Sequence, residues 1–229
     1  MSGVDEPSRA PKTLCTFDSP EALQQYATGC DADVGGTSTM QLSLDDSTLK
    51  PTGKLWGDLK LAVRPEFKGR VLGGYAGFRT MFRKNLFGEM MHDLSNHDYL
   101  ALRVRMRGSK RLKNSYFVNL QTEGYVTTDL WQHRLYFGRD DGDWEDVYIP
   151  ISAFVLTNNG EIVDTQMDIL RERVRSVGIS LLGGKSGMEG PYELGIESIR
   201  ALNSDDIIPS SSIIEKDPSR GTQWQRGPL

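Results

Sequence analysis

Asp93-Leu94-Ser95-Asn96-His97-Asp98-Tyr99-Leu100-Ala101-Leu102-Arg103-Val104-Arg105-Met106-Arg107-Gly108 is the stretch whose reading decides the fold. From Leu100 the side chains alternate without a break. Leu100, Leu102, Val104 and Met106 fall on one face, and Ala101, Arg103, Arg105 and Arg107 on the other. A period of two marks a half-buried strand, because successive Cβ atoms point to opposite sides of a sheet. The apolar row requires a core beneath it. The arginines require water, a carboxylate row or a partner.

On the N-terminal side the spacing predicts strands over Leu14–Phe17, 38–44, 55–63 and 75–82, with one short helix from Pro20 to Tyr26 started by Ser19. The segment 45–54, polar and holding Pro51, reads as a loop, and 65–70 as a turn. Lys84–Met91 is ambiguous and more apolar than a loop requires. On the C-terminal side strands are predicted over 116–121, 130–137, 144–150, 174–181 and 192–202. Asp140-Asp141-Gly142-Asp143, Asn158-Asn159-Gly160, Gly183-Gly184 and Gly190-Pro191 supply the turns between them. Many short strands with Gly, Asp and Asn turns predict an all-β sandwich of two antiparallel sheets. The organisation expected is a flexible lead-in (1–12), one domain (13–203) and an extended tail (204–229) with too little apolar residue for a core of its own. Trp224 and two isoleucine pairs in that tail could pin it to the domain or to a partner.

Composition narrows the function. A net charge of −4 over 229 residues argues against a dedicated nucleic-acid binder, which carries a basic excess. No apolar run approaches the ~20 residues that span a bilayer. The first dozen residues hold Asp5 and Glu6 and read neither as a signal peptide nor as a mitochondrial presequence. Cys15 and Cys30 read as free thiols, with a disulfide between them as the alternative.

Patterns for catalysis fail one by one. His92, His97 and His133 lack a second histidine at metal-ligand spacing. The acidic run 140–143 has the composition of a calcium loop without its spacing. Gly73-Gly74 and Gly183-Gly184-Lys185-Ser186 match no phosphate-loop pattern. Neither a nucleophile elbow nor a cysteine with a nearby base occurs. No cofactor, metal or catalytic residue is expected.

Docking readings have more to stand on. Arg103, Arg105 and Arg107 share a strand face, and Arg111 and Lys113 follow in the next turn. Such rows are commonly plain charged surface. The competing reading is a strip for carboxylates or anionic phospholipid head groups, which arginine meets bidentately. Trp131, with His133 close by in a polar context, is expected to be an exposed anchor, whereas Trp144 and Tyr148 are expected in the core. With Trp224, these form the candidate partner-docking set.

An ordered series of motifs now carries a resemblance. Asp31-Ala32-Asp33-Val34-Gly35-Gly36-Thr37-Ser38, Asp93-Leu94-Ser95 with Leu100-Ala101-Leu102-Arg103-Val104-Arg105, and Tyr116-Phe117-Val118-Asn119-Leu120 come first. Trp144-Glu145-Asp146-Val147-Tyr148-Ile149-Pro150-Ile151-Ser152-Ala153-Phe154, Val174-Arg175-Ser176-Val177-Gly178-Ile179 and Gly190-Pro191-Tyr192-Glu193-Leu194-Gly195-Ile196 complete it. Over residues 14–202 the chain resembles the complex I intermediate-associated proteins. The resemblance implies a galactose-binding-like jelly roll with no catalytic residues. It further implies a chaperone for respiratory NADH:ubiquinone oxidoreductase (complex I) on the matrix side of the mitochondrial inner membrane. Its partners would be membrane-arm subunits and other assembly factors, and it would leave before the complex is finished. The rival readings are a carbohydrate-binding module and a nucleotide-binding domain. Under the docking reading, replacing Arg103, Arg105 and Arg107 together with Glu should spare folding and weaken partner recovery.

Overall fold

The structure is a computed structural model that describes residues 8–47, 49–124 and 126–207. Trp224, Tyr125 and the tail beyond Ile207 lie outside the described residues. In chain order the elements are β1 (Lys12–Thr16), the single-turn helix α1 (Pro20–Leu23), β2 (Tyr26–Cys30), β3 (Thr39–Asp45), β4 (Thr52–Leu59) and β5 (Tyr75–Thr80). A small hairpin follows, β6 (Arg83–Asn85) and β7 (Gly88–Met90), then β8 (Tyr99–Gly108), β9 (Tyr116–Thr122), β10 (Asp129–Arg134) and β11 (Glu145–Pro150). The chain closes with β12 (Val155–Asn158), β13 (Glu161–Ile162), β14 (Val174–Leu182) and β15 (Gly190–Leu202).

Two antiparallel sheets face each other. The front sheet runs β11-β8-β15-β4-β3, with β1 also paired to β15. The back sheet runs β13-β12-β10-β9-β14-β5-β2, and β6-β7 stands apart. β8, the strand read first from the sequence, lies inside the front sheet between β11 and β15. Its apolar row is buried as expected: Leu100, Leu102 and Val104 are fully enclosed and Met106 nearly so. They meet Leu120, Val118, Val177 and Ile179 of the back sheet in one core. Alternation on both layers is what lets two sheets share a core about 10 Å thick.

Three local readings change. The helix expected to reach Tyr26 stops at Leu23, because Tyr26 is taken into β2. There its ring stacks on Phe17 at 4.7 Å, meets Phe78 edge-on, and its hydroxyl donates to the Thr16 carbonyl at 2.6 Å. Tertiary packing outweighs a weak helix signal. β2, β12 and β13 went unseen because they are short and carry little alternation. Part of the lead-in is also tied down: the Asn203 amide donates to Arg9 O at 2.8 Å, and the His97 ring bonds Ala10 O at 3.0 Å. Both cysteines are free thiols.

Candidate functional site

Antiparallel pairing decides what the arginines of β8 meet. On the outer face of the front sheet Asp146 of β11 sits directly across from Arg103, and Glu193 of β15 across from Arg107. Arg103 Nη1 bonds Asp146 Oδ2 at 2.8 Å, and its Nε lies 3.8 Å from Glu197. Arg107 reaches Glu193 at 4.0 Å and Gly142 O at 3.4 Å. Of the three environments open to these side chains, the fold supplies a carboxylate row.

Arg105 differs from its neighbours. Its side chain is 5% exposed, lies flat over Gly195, bonds Asp45 of β3, and is covered by the Trp144 ring 4.9 Å away. A Cβ on Gly195 would come within 2.6 Å of Arg105 Cγ, so the flat path needs glycine there. Trp144, expected in the core, is a half-buried lid over this pair. Asp45 is held below the usual carboxylate range, first by the side-chain and backbone donors of Ser47 and then by Arg105. The row therefore has two exposed arginines around a buried one. A triple Glu variant would strike the fold as well as the surface.

The rest of the docking set is dispersed. Arg111 is exposed and pairs with no carboxylate among the described residues, while Lys113 bonds Asp140 at 2.5 Å. Both sit in the turn that follows β8. Trp131, expected as an exposed anchor, is 5% exposed and belongs to the core. It faces inward beside Leu120 and Leu156, its partners in register. Gln132, the polar residue next to it, points the other way, to the outer face of the sheet. His133 shares Trp131's inward face, its ring 5.6 Å from Phe154 and 6.0 Å from Tyr136.

A feature the sequence reading missed crosses the outer face of the back sheet. Thr157 Oγ1 donates to Gln132 Oε1 (3.1 Å), Gln132 Nε2 to Asn119 Oδ1 (2.9 Å), and Asn119 Nδ2 to Ser180 Oγ (3.0 Å). The chain of bonds ties β12, β10, β9 and β14 together and explains why Gln132, Thr157 and Ser180 are buried on an outward face. Its signal was the alternation of Asn119 and Gln121 with apolar residues.

Two shallow depressions of about 190 and 350 Å³ flank β1, the first between Leu14 and Arg83, the second around His97. No group of three His, Cys, Asp or Glu side chains that could hold a metal occurs among the described residues. No helix among them is long and apolar enough to cross a membrane.

His92, beside the small hairpin, gives the fold a pH response. It is buried, and its ring nitrogen accepts from Arg83 at 3.3 Å. Burial, then the charges of Arg83 and Lys12, push its imidazole down from 6.5 to about 4. The unfolded chain takes up a proton there between those values and the folded chain does not. Stability from neutral His92 is thus complete above about pH 6.5 and lost as pH falls toward 4, about 3 kcal/mol in all. Urea melts at about pH 7.5 and about pH 4.5 should show the wild type losing more stability than His92→Gln; equal losses would refute this.

The sequence pattern of the family described as complex I intermediate-associated protein 30 matches residues 15–196, from the end of β1 into β15. The chain belongs to this family. Among complex I intermediate-associated proteins 30, the mitochondrial protein of Neurospora crassa is 35% identical over 90% of this chain and 78% of its own length. That of Drosophila melanogaster is 32% identical over 80% of this chain, which spans 60% of the fly protein. Among solved structures, the family 11 carbohydrate-binding module from Clostridium thermocellum, in complex with a mixed-linked tetrasaccharide, is similar with a TM-score of 0.57. The likeness covers 86% of this chain and 98% of the module at 13% identity, and it concerns the fold: a galactose-binding-like jelly roll. The expected architecture and family both hold.

Proposed function

We propose that this jelly roll is a non-catalytic assembly factor for mitochondrial complex I. In this reading it docks from the matrix side on membrane-arm intermediates, peripheral to the inner membrane, and leaves before the complex is complete. The observation that carries the reading is family membership along nearly the whole sandwich, together with the names of the mitochondrial relatives.

The surface chemistry suits a partner that must depart. Arg103 and Arg107 keep 36% and 50% of their side chains exposed while paired to Asp146, Glu197 and Glu193. Exposed pairs of this kind are worth about 0–1 kcal/mol, so an incoming carboxylate can displace the resident one at little cost. Charged rims set register and encounter rate more than affinity, which favours reversible binding. Arg111 adds an exposed cation beside them.

The test is recovery of partners from gently solubilised mitochondria by the tagged protein. Membrane-arm subunits without the complete peripheral arm are expected. Arg103→Glu with Arg107→Glu, leaving Arg105 in place, should keep the melting temperature and reduce that recovery several-fold. Recovery of no complex I subunit, or affinity for a soluble glycan in its place, would overturn the proposal.

A further inference from the structure

The hairpin β6-β7 lies in the segment more apolar than a loop requires, and it presents two almost fully exposed apolar side chains in a row. Leu86 is 99% exposed and Phe87 96%, side by side at its tip. Met81 and Met90 flank them, half exposed.

This presentation is built, not frayed. Phe87 N donates to Asn85 Oδ1 at 2.8 Å, and Gly88 takes a φ of 127° that other residues rarely adopt, so the turn is encoded by its own sequence. At the base, Phe82 is clamped between the guanidinium groups of Arg79 and Arg175, each 4.5 Å from the ring. His92 exchanges two backbone bonds with Val174, at 2.8 and 3.1 Å, which anchors the return strand to β14. A hairpin anchored at its base therefore holds two hydrophobic side chains in water.

The charges around the tip are of one sign. Arg79, Arg83 and Lys84 are exposed and have no carboxylate partner among the described residues. The hairpin's one acid, Glu89, is neutralised by Arg175 Nη2, which bonds both its oxygens at 2.9 Å. An apolar tip with a cationic collar matches a bilayer interface bearing anionic head groups: the side chains enter the acyl boundary while Lys and Arg stay at the phosphates. A protein partner fits less well, since a stable protein interface covers about 800 Å² a side and two tip residues offer far less.

We infer that β6-β7 is a membrane-surface finger, inserting Leu86 and Phe87 into an anionic bilayer with Arg79, Arg83 and Lys84 at head-group level. It adds a lipid contact to the function proposed above without depending on it.

Purified protein is sedimented with phosphatidylcholine vesicles, with and without about a third phosphatidylglycerol, at low and at physiological salt. Binding is expected on the anionic vesicles, weakening with salt. Leu86→Ser with Phe87→Ser should lower it about tenfold or more, because both buried apolar groups are lost. Lys84→Glu should remove the preference for anionic lipid. Both variants should melt within a few degrees of the wild type, since Leu86 and Phe87 are outside the core and Lys84, across from Glu89, is solvated. The inference is overturned if the wild type stays in the supernatant with anionic vesicles, or if the double variant binds as well. It is also overturned if the double variant loses protein partners from mitochondria while vesicle binding by the wild type is absent. The vesicle assay contains no complex I subunit, so its failure leaves the assembly reading standing.

Discussion

Replacing Asp31 with alanine is expected to cost about 3–5 kcal/mol, the largest effect of any single polar substitution outside the front face. The carboxylate is 2% exposed and forms no ion pair with a cation among the described residues. It is held instead by donors: Ser38 N at 2.9 Å to one oxygen, and to the other Ser38 Oγ at 2.8 Å, Gly74 N at 2.5 Å and Tyr75 N at 3.2 Å. Those groups join the turn before β3 to the glycine pair that opens β5. A Cβ on Gly36 would stand 2.3 Å from the carboxylate carbon, so the glycine clears the space in which Asp31 sits. Without the carboxylate, the buried amides of Ser38 and Gly74 and the part-buried amide of Tyr75 lose their acceptor, at about 1–3 kcal/mol each for the buried ones, partly relieved by water. Asp31→Asn should be costly too, because one face of its amide presents hydrogens to donors. Urea denaturation decides the matter: a loss below about 1 kcal/mol for Asp31→Ala would mean the cluster is not a staple.

Arg105→Glu is the second large expectation, again about 3–5 kcal/mol. It would place a second carboxylate against Asp45 under the Trp144 ring, in a site where the arginine is almost wholly enclosed. Breaking a buried pair strands the remaining charge, which costs more than the pair contributed. Replacing both Arg105 and Asp45 with leucine should therefore recover most of the loss, as a double-mutant cycle would register. By contrast, Arg103→Glu and Arg107→Glu should each shift stability by no more than about 1 kcal/mol, since their pairs are solvated. If Arg105→Glu melts like those two, the buried pair has no special place in the fold. This contrast also governs any interaction experiment: a variant touching Arg105 confounds folding with docking.

Much of the architecture was legible because strands write themselves into the chain with period two. The alternation of Leu100, Leu102, Val104 and Met106 declares an inward face, and the strands at 116, 174 and 192 do the same. The early Asp-x-Asp motif was visible as a signature, yet its purpose was not. Asp31 acts on Gly74, 43 residues away, through contacts that no local spacing encodes.

The candidate surface was the least legible part. Alternation says which residues share a face but not which faces stay wet. Arg103, Arg105 and Arg107 are equivalent on the strand and become unequal only when β15 offers Glu197, Gly195 and Glu193 beneath them and Trp144 closes over the middle one. Trp131 was misjudged by its polar context: Gln132 lies on the opposite side of the sheet, and His133 is turned inward with it.

By itself, then, the amino-acid order settled the two-sheet class, the family and the inward row of β8, since these rest on periodicity and on motif order along the chain. Tertiary structure alone decided which arginine is buried, where the tryptophans face and that Leu86 and Phe87 stand free at a hairpin tip. Exposure belongs to the whole packed object: it depends on what other segments cover, and distant segments leave no mark on local spacing.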